Sequence, residues 1–310
     1  MSRTALYASV VLVLLRGCVP SCAPVVAQPE FALAVPAPPG GASWPEVVNA
    51  LRAGAGVLPV EQSASGTHYA ASAAQCLANT GQLGVPHTLD PSLDCGAGVD
   101  TEAARIGAAG SLISFAPVRL APRVMIEHFA NAPFHAMALF DPDLAVIDYA
   151  DAANPASPNG RNKFTSAVWV RGRRDAARRP LARLVAWPEP LWAVPGTMRV
   201  GEEWPSPLWQ CGLTESGPPM WFAAPESGVA PVLSGLELAP VSGGGSVPLC
   251  TYGAADMDKG DPSGRDIAQQ YLRHMAAVMV VPTRPLTPGD WLLKGMLDGH
   301  PFSRVVSVSG

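Results

Sequence analysis

The rhythm of apolar and polar positions changes near the middle of the chain. In the first half, apolar residues recur three and four apart. "SWPEVVNALRAG" places Val47, Val48 and Leu51 on one stripe behind Ser43, whose hydroxyl, with Pro45 and the early Glu46, marks a helix start that Gly54 and Gly56 end. "HYAASAAQCLANTG" predicts a second helix, Ala-rich and suited to close packing, which Asn79 and Gly81 end. "TEAARIGAAGSLI" predicts a third, and "APRVMIEHFANA" a fourth that begins after Pro122 and stops before Pro133. "AVIDYADA" and "TSAVWVRG" alternate like short strands. From "LARLVAWPEP" onward, short apolar runs are separated by Pro, Gly and Ser, with one helical interval, "RDIAQQYLRHM". "AAVMVVP" is a strand, and "DWLLKGML", the Asp298-Gly299 turn and "PFSRVVSVS" form a closing hairpin. This spacing is that of a β-sandwich.

Length and composition turn these elements into an organisation. A chain of 310 residues holds two ordinary domains, and the change of rhythm places their boundary within residues 171–184. Only 15% of residues are charged, against 30 Gly and 33 Pro, so loops and short strands outnumber long solvated helices. A net charge of −4 with no clustered basic face excludes nucleic acid as a partner. The densest basic run, Arg171, Arg173, Arg174, Arg178 and Arg179, is broken by Gly172 and Asp175 and reads as a solvated linker.

Residues 1–27 have the layout of an export signal: Arg3, then "ALYASVVLVLL", then the small-residue site "VVA" ending at Ala27. A rival reading makes "LLRGC" a lipid-attachment site at Cys18, although Arg16 is wrong for such a site. Either way the protein leaves the cytoplasm, and no later segment is apolar and long enough to be a membrane helix. Residues 28–42 form a flexible Pro/Gly-rich arm. Beyond the signal stand Cys76, Cys95, Cys211 and Cys250, an even number that in an oxidising compartment favours disulfides; their spacing favours Cys76 with Cys95 and Cys211 with Cys250. No C-x-x-C pair supports a thiolate zinc site.

"VVNALRAGAGVLPV", the Ala-rich helix, "PHTLD" and "NAPFHAMALFDPDL", in that order across residues 43–155, resemble the CAP superfamily of cysteine-rich secretory, antigen 5 and pathogenesis-related-1 proteins, in its bacterial branch. "EWPSPLWQC", "PLTPGDW" and the closing hairpin resemble a small Ig-like domain. The resemblance implies an α+β chain: a CAP-like α-β-α sandwich over residues 43–170, a linker at 171–184 and an Ig-like β domain over 185–310. It also implies a cleft with two histidines and two acidic residues, in some relatives around a divalent metal. The histidines fall on His87 and His135. One acidic position falls on Ser111; for the other the residues at hand are Glu127, Glu102 and Asp90.

The serine weakens a metal or acid–base site, because two imidazoles need further ligands, or a carboxylate, to hold zinc or move a proton. His135 has a bland alternative, an imidazole that locks its own turn. His87, in a loop, has less packing reason to be there. His128 is expected at the surface, while His68, His274 and His300 carry no expectation. The chain has no G-x-S-x-G, H-E-x-x-H or nucleotide-binding signature. Trp187, Trp204 and Trp209 either form a flat binding face or fill the second core. The sequence therefore favours a non-enzymatic protein binding an extracellular or envelope ligand in the His87/His135 cleft. The alternatives are a metal-assisted hydrolase and a purely structural envelope protein.

Overall fold

The computed structural model describes residues 41–81, 87–153, 163–175, 177–178, 180, 182–189 and 192–310. The expected export signal, Cys18 and nearly all of the arm lie outside them. The chain is α+β, with 28% helix and 30% strand. Its first half contains α1 (Trp44–Gly54), α2 (Ala64–Thr80), α3 (Thr101–Gly110), β1 (Ser111–Ala116), α4 (Pro122–Asn131), α5 (Pro133–Leu139), β2 (Asp148–Ala153) and β3 (Phe164–Trp169). The strands form one antiparallel sheet in the order β1-β3-β2. In the second half, β4 (Val185–Trp187), β5 (Val194–Pro195), β6 (Met198–Arg199), β7 (Glu215–Ser216), β8 (Met220–Ala223), β9 (Leu233–Pro240) and β10 (Leu249–Gly253) precede α6 (Pro262–His274). After it come β11 (Ala277–Pro282), β12 (Gly289–Leu297) and β13 (His300–Ser309).

Local chemistry accounts for most of these boundaries. At the start of α1, the backbone N–H of Ser43 donates to Glu46 Oε2 at 2.6 Å and its hydroxyl to the same oxygen at 2.8 Å. Ser63 caps α2, accepting from the Gly66 N–H at 3.0 Å, and Gly81 ends that helix in the left-handed conformation at φ 64°. The third helix stops at Gly110, three residues before the end of the expected segment, because Ser111, Leu112 and Ile113 pair with β3 instead. The register opposite Trp169, Val168 and Ala167 outweighs the local helical pattern there. Gly107 lets α3 lie directly on α2, since a Cβ at that position would stand 2.1 Å from the Tyr69 carbonyl oxygen.

The second half folds two four-stranded sheets, β10-β11-β8-β4 and β5-β13-β12-β9. They meet through edge-on Phe222 and Phe302 rings with centroids 5.5 Å apart. The buried Arg304 of β13 also reaches across, donating to the Ala186 and Pro188 carbonyls at 3.1 and 2.7 Å. The closing hairpin turns at Asp298 and Gly299, both at positive φ (51° and 79°) as a two-residue turn demands. Both expected disulfides form, Cys76–Cys95 and Cys211–Cys250.

One hydrophobic core runs from Val47 through Phe134 and Trp187 to Val308, so the same core crosses the expected boundary. A smaller cluster fills the space between α2, α3 and the first sheet around Ala73, Ala104 and Trp169. The Arg-rich segment is tied to the first half: Ala145 donates to the Arg173 carbonyl at 2.9 Å and Ala182 to that of Gly56 at 3.3 Å. At the centre of the first half, the fully buried Arg52 donates to the carbonyls of Leu58, Leu139, Asp141 and Leu144 at 2.8, 2.5, 3.2 and 3.2 Å. Burial lowers its guanidinium to about 9, opposed by the charge of Asp141. Replacing Arg52 with Met strands these carbonyls, and chemical denaturation of Arg52→Met is expected to show a loss of about 3 kcal/mol or more. A loss under about 1 kcal/mol would mean that water satisfies them instead.

Candidate functional site

A cavity of about 280 Å³ opens between the two halves. From the first half, His87, Ser111 and His135 line it; from the second, Trp204, Pro205 and the face of α6. The His87 Nδ1 lies 3.1 Å from the carbonyl oxygen of Ala108, in the last turn of α3 where carbonyls lack helical partners. A carbonyl only accepts, so Nδ1 carries the proton, and in the neutral ring Nε2 keeps its lone pair. Burial favours that neutral ring and lowers the His87 pKa; the Ala108 bond opposes this, and His135 and Arg171 add to it. The ring stacks on Trp204 with centroids 5.9 Å apart. Trp204 is anchored in turn by its indole N–H, which donates at 3.1 Å to Asp261, the N-cap of α6. Ser111 is buried at the junction of α3 and β1, and its hydroxyl has no partner among the described residues.

His135 lies on α5, the seven-residue helix that Pro133 begins, rather than in a turn of its own. The α5 N-cap is Ala132, which has no side-chain acceptor to offer. Glu203 supplies one from the other half of the chain: Oε1 accepts the His135 backbone N–H at 2.8 Å. The same oxygen stands 3.1 Å from His135 Nδ1, off hydrogen-bond alignment. The Glu203 side chain is fully buried, and its Oε2 has no partner among the described residues. The His135 ring also meets Phe129 edge-on at 5.3 Å.

The far wall belongs to α6, which presents Ile267, Gln270, Tyr271 and His274 to the cavity. His274 Nε2 is 3.0 Å from the buried Asp141 carboxylate, and Arg174 Nη1 is 2.5 Å from the same oxygen. The Asp141 bond raises the His274 pKa, although burial opposes it. Burial pushes the Asp141 carboxyl up, but His274 and Arg174 together outweigh burial and hold it below its ordinary value. Asp141, Asp143 and His274 are the one group of three metal-ligating side chains among the described residues whose ligand atoms lie within 4.8 Å of one another. Arg174 already supplies a positive partner to Asp141 in this group.

Of the residues singled out from sequence, His87, Ser111 and His135 come together and the carboxylates do not. Glu102 is exposed and pairs with Arg105 at 2.8 Å on α3. Glu127 pairs with Arg123 at 2.8 Å one turn away on α4, and Asp90 accepts from Ser92 within its own exposed turn. Neither Glu102, Glu127 nor Asp90 lines the cavity. Local pairing satisfies each of them, so none is drawn inward. The pair proposed for zinc, His87 and His135, belongs to no three-ligand group among the described residues. Glu203 and His274 carry no expectation from the sequence, whereas Trp204 is one of the tryptophans weighed there as a binding face. The spacing of Ile267, Gln270, Tyr271 and His274, which places them on one helical face, is the signal that marks α6 as a wall. Of the tryptophans, Trp187 and Trp221 are core, while Trp204 is the one that borders the cavity.

The buried carboxyl groups of Glu203 and Asp141 each carry a measurable consequence. Glu203→Ala leaves the His135 N–H without its acceptor and is expected to lower stability by about 2 kcal/mol in denaturant titration, with Glu203→Gln costing less. Because the His274 pKa is raised, its bond to Asp141 contributes fully below the ordinary histidine pKa of about 6.5 and is lost as pH rises through the raised value. Thermal unfolding across pH 6 to 9 should therefore show a decline that is absent in His274→Ala; an equal decline in both would assign it elsewhere. Comparison with known protein families, characterised proteins and solved structures finds no match for this chain, so its function is argued from this geometry.

Proposed function

We propose that this chain is an exported, non-enzymatic protein that binds a small ligand in the cavity bounded by His87, Ser111 and His135, with the second half as its lid-side wall. The single observation that carries this reading is the convergence of those three side chains, from a loop, a strand start and a separate helix, on one opening to solvent. The buried, partnerless Ser111 hydroxyl supports it, since a ligand group in the cavity would satisfy a donor that the protein leaves unmet. The resemblance to the CAP superfamily supports it as well, with the CAP-like domain contributing the histidines and the Ig-like domain the opposing wall. Two disulfides, and the absence of a helix among the described residues long and apolar enough to cross a membrane, are compatible with an extracellular setting.

A second reading, a metal-assisted hydrolase, draws on Glu203, which brings a carboxylate to His135 as acid–base chemistry requires. Elemental analysis separates the two: near-stoichiometric zinc in the purified protein favours the hydrolase. The binding reading is tested by a thermal-shift screen of small polar and aromatic molecules. Compounds that raise the melting temperature of the parent are expected to lose that effect in His87→Ala/His135→Ala. If the double variant keeps every shift, the cavity is not the site.

A further inference from the structure

The polar groups that border the cavity are unbalanced in sign. Arg171, Arg174 and three histidines line it, and no carboxylate does among the described residues. The two acids nearest to it stand behind the wall and are already engaged, Asp141 by Arg174 and His274, Glu203 by the His135 N–H. Arg171 is different. It forms no ion pair or hydrogen bond among the described residues, yet its charge is felt inside the cavity: burial lowers the His87 pKa and Arg171 adds to that, while burial raises the Tyr271 pKa and Arg171 opposes it. Its place in the fold is fixed by the sheet: the preceding Val170 donates to the Gly110 carbonyl at 3.0 Å, so Arg171 leaves β3 beside the point where Ser111 begins β1. One unneutralised guanidinium and one buried, unsatisfied hydroxyl therefore sit at neighbouring positions on one edge of the opening. The cavity lining also includes apolar groups, Leu112, Phe134, Ile267 and the Trp204 ring.

We infer that the ligand is a small organic monocarboxylate, its anionic end bound by Arg171 with Ser111 and its apolar body lying between Trp204 and α6. A guanidinium fork matches a carboxylate, and one uncompensated positive charge matches one negative charge, whereas a phosphate dianion would leave half its charge unmet. The volume suits a body of about one aromatic ring or a short alkyl chain, at the low end of small-molecule pockets. The inference rests on the cavity being the binding site.

The test is calorimetric titration of the full chain with benzoate and with benzamide, its neutral isostere. Benzoate is expected to bind at least about tenfold more tightly than benzamide, because a hydrogen bond to a charged group is the stronger kind. Arg171→Ala should weaken benzoate about tenfold or more and leave benzamide unchanged, and Ser111→Ala should weaken both. Arg171 is exposed and partnerless among the described residues, so its replacement does not threaten folding. Equal affinity for the two probes, indifference of benzoate to Arg171→Ala, or no benzoate binding would each overturn the inference. Equal affinity for benzoate and benzamide, with both lost in His87→Ala/His135→Ala, would overturn the carboxylate while sparing the cavity. Benzoate binding indifferent to those histidine changes would instead overturn the cavity reading itself.

Discussion

The short helix α5 is clamped at both ends by polar side chains that lie far away in sequence. Glu203 accepts the His135 N–H at 2.8 Å near its N-terminus, and Arg52 donates to the Leu139 and Asp141 carbonyls at 2.5 and 3.2 Å beyond its C-terminus. Each charge has the sign that the helix dipole favours at its end. Seven residues with an alanine N-cap make a poor helix in isolation, because nucleation fixes several dihedral angles for few hydrogen bonds. Tertiary structure supplies what the segment lacks, and the orientation of the His135 ring follows from it.

That dependence links the two halves of the chain. Glu203 belongs to the second half and Arg52 to the first, so α5 is complete when both are folded around it. The shared core from Val47 to Val308 has the same consequence, as does the pairing of Asp141 in the first half with His274 in the second at 3.0 Å. The cavity is thus a product of docking: one wall bears the histidines and Ser111, and the other is Trp204 and α6. A change that loosens the docking would alter the cavity without touching any side chain that lines it.

Local rules left clear marks in the sequence where local chemistry decides the structure. The Ser43 and Glu46 box, the left-handed Gly81 and the Asp298-Gly299 turn each set an element boundary within a few residues, and all three are visible as letters. His87, Ser111 and His135, which the motif order picks out, line one cavity. Glu203 is not picked out. It acts on a backbone N–H 68 residues away, and nothing in "GEEW" distinguishes a buried cap from two surface carboxylates. The end of α3 was misjudged for the same reason, since the pairing of Ser111–Ala116 with β3 is a non-local competitor that periodicity does not contain. The acids that the sequence offers on the nearest helices, Glu102 and Glu127, are already paired with arginines one turn away.

The grip of a distant carboxylate on one backbone amide holds α5 and the cavity beside it in place. Native-state hydrogen exchange at the His135 amide of the intact chain measures that grip directly. If Glu203 caps α5 from a buried position, the amide exchanges only through global unfolding, with protection close to that of the core strands. Exchange at the rate of an exposed loop amide, while those strands remain protected, would show that α5 is not held from the second half and that the shared cavity is not a fixed feature of the protein.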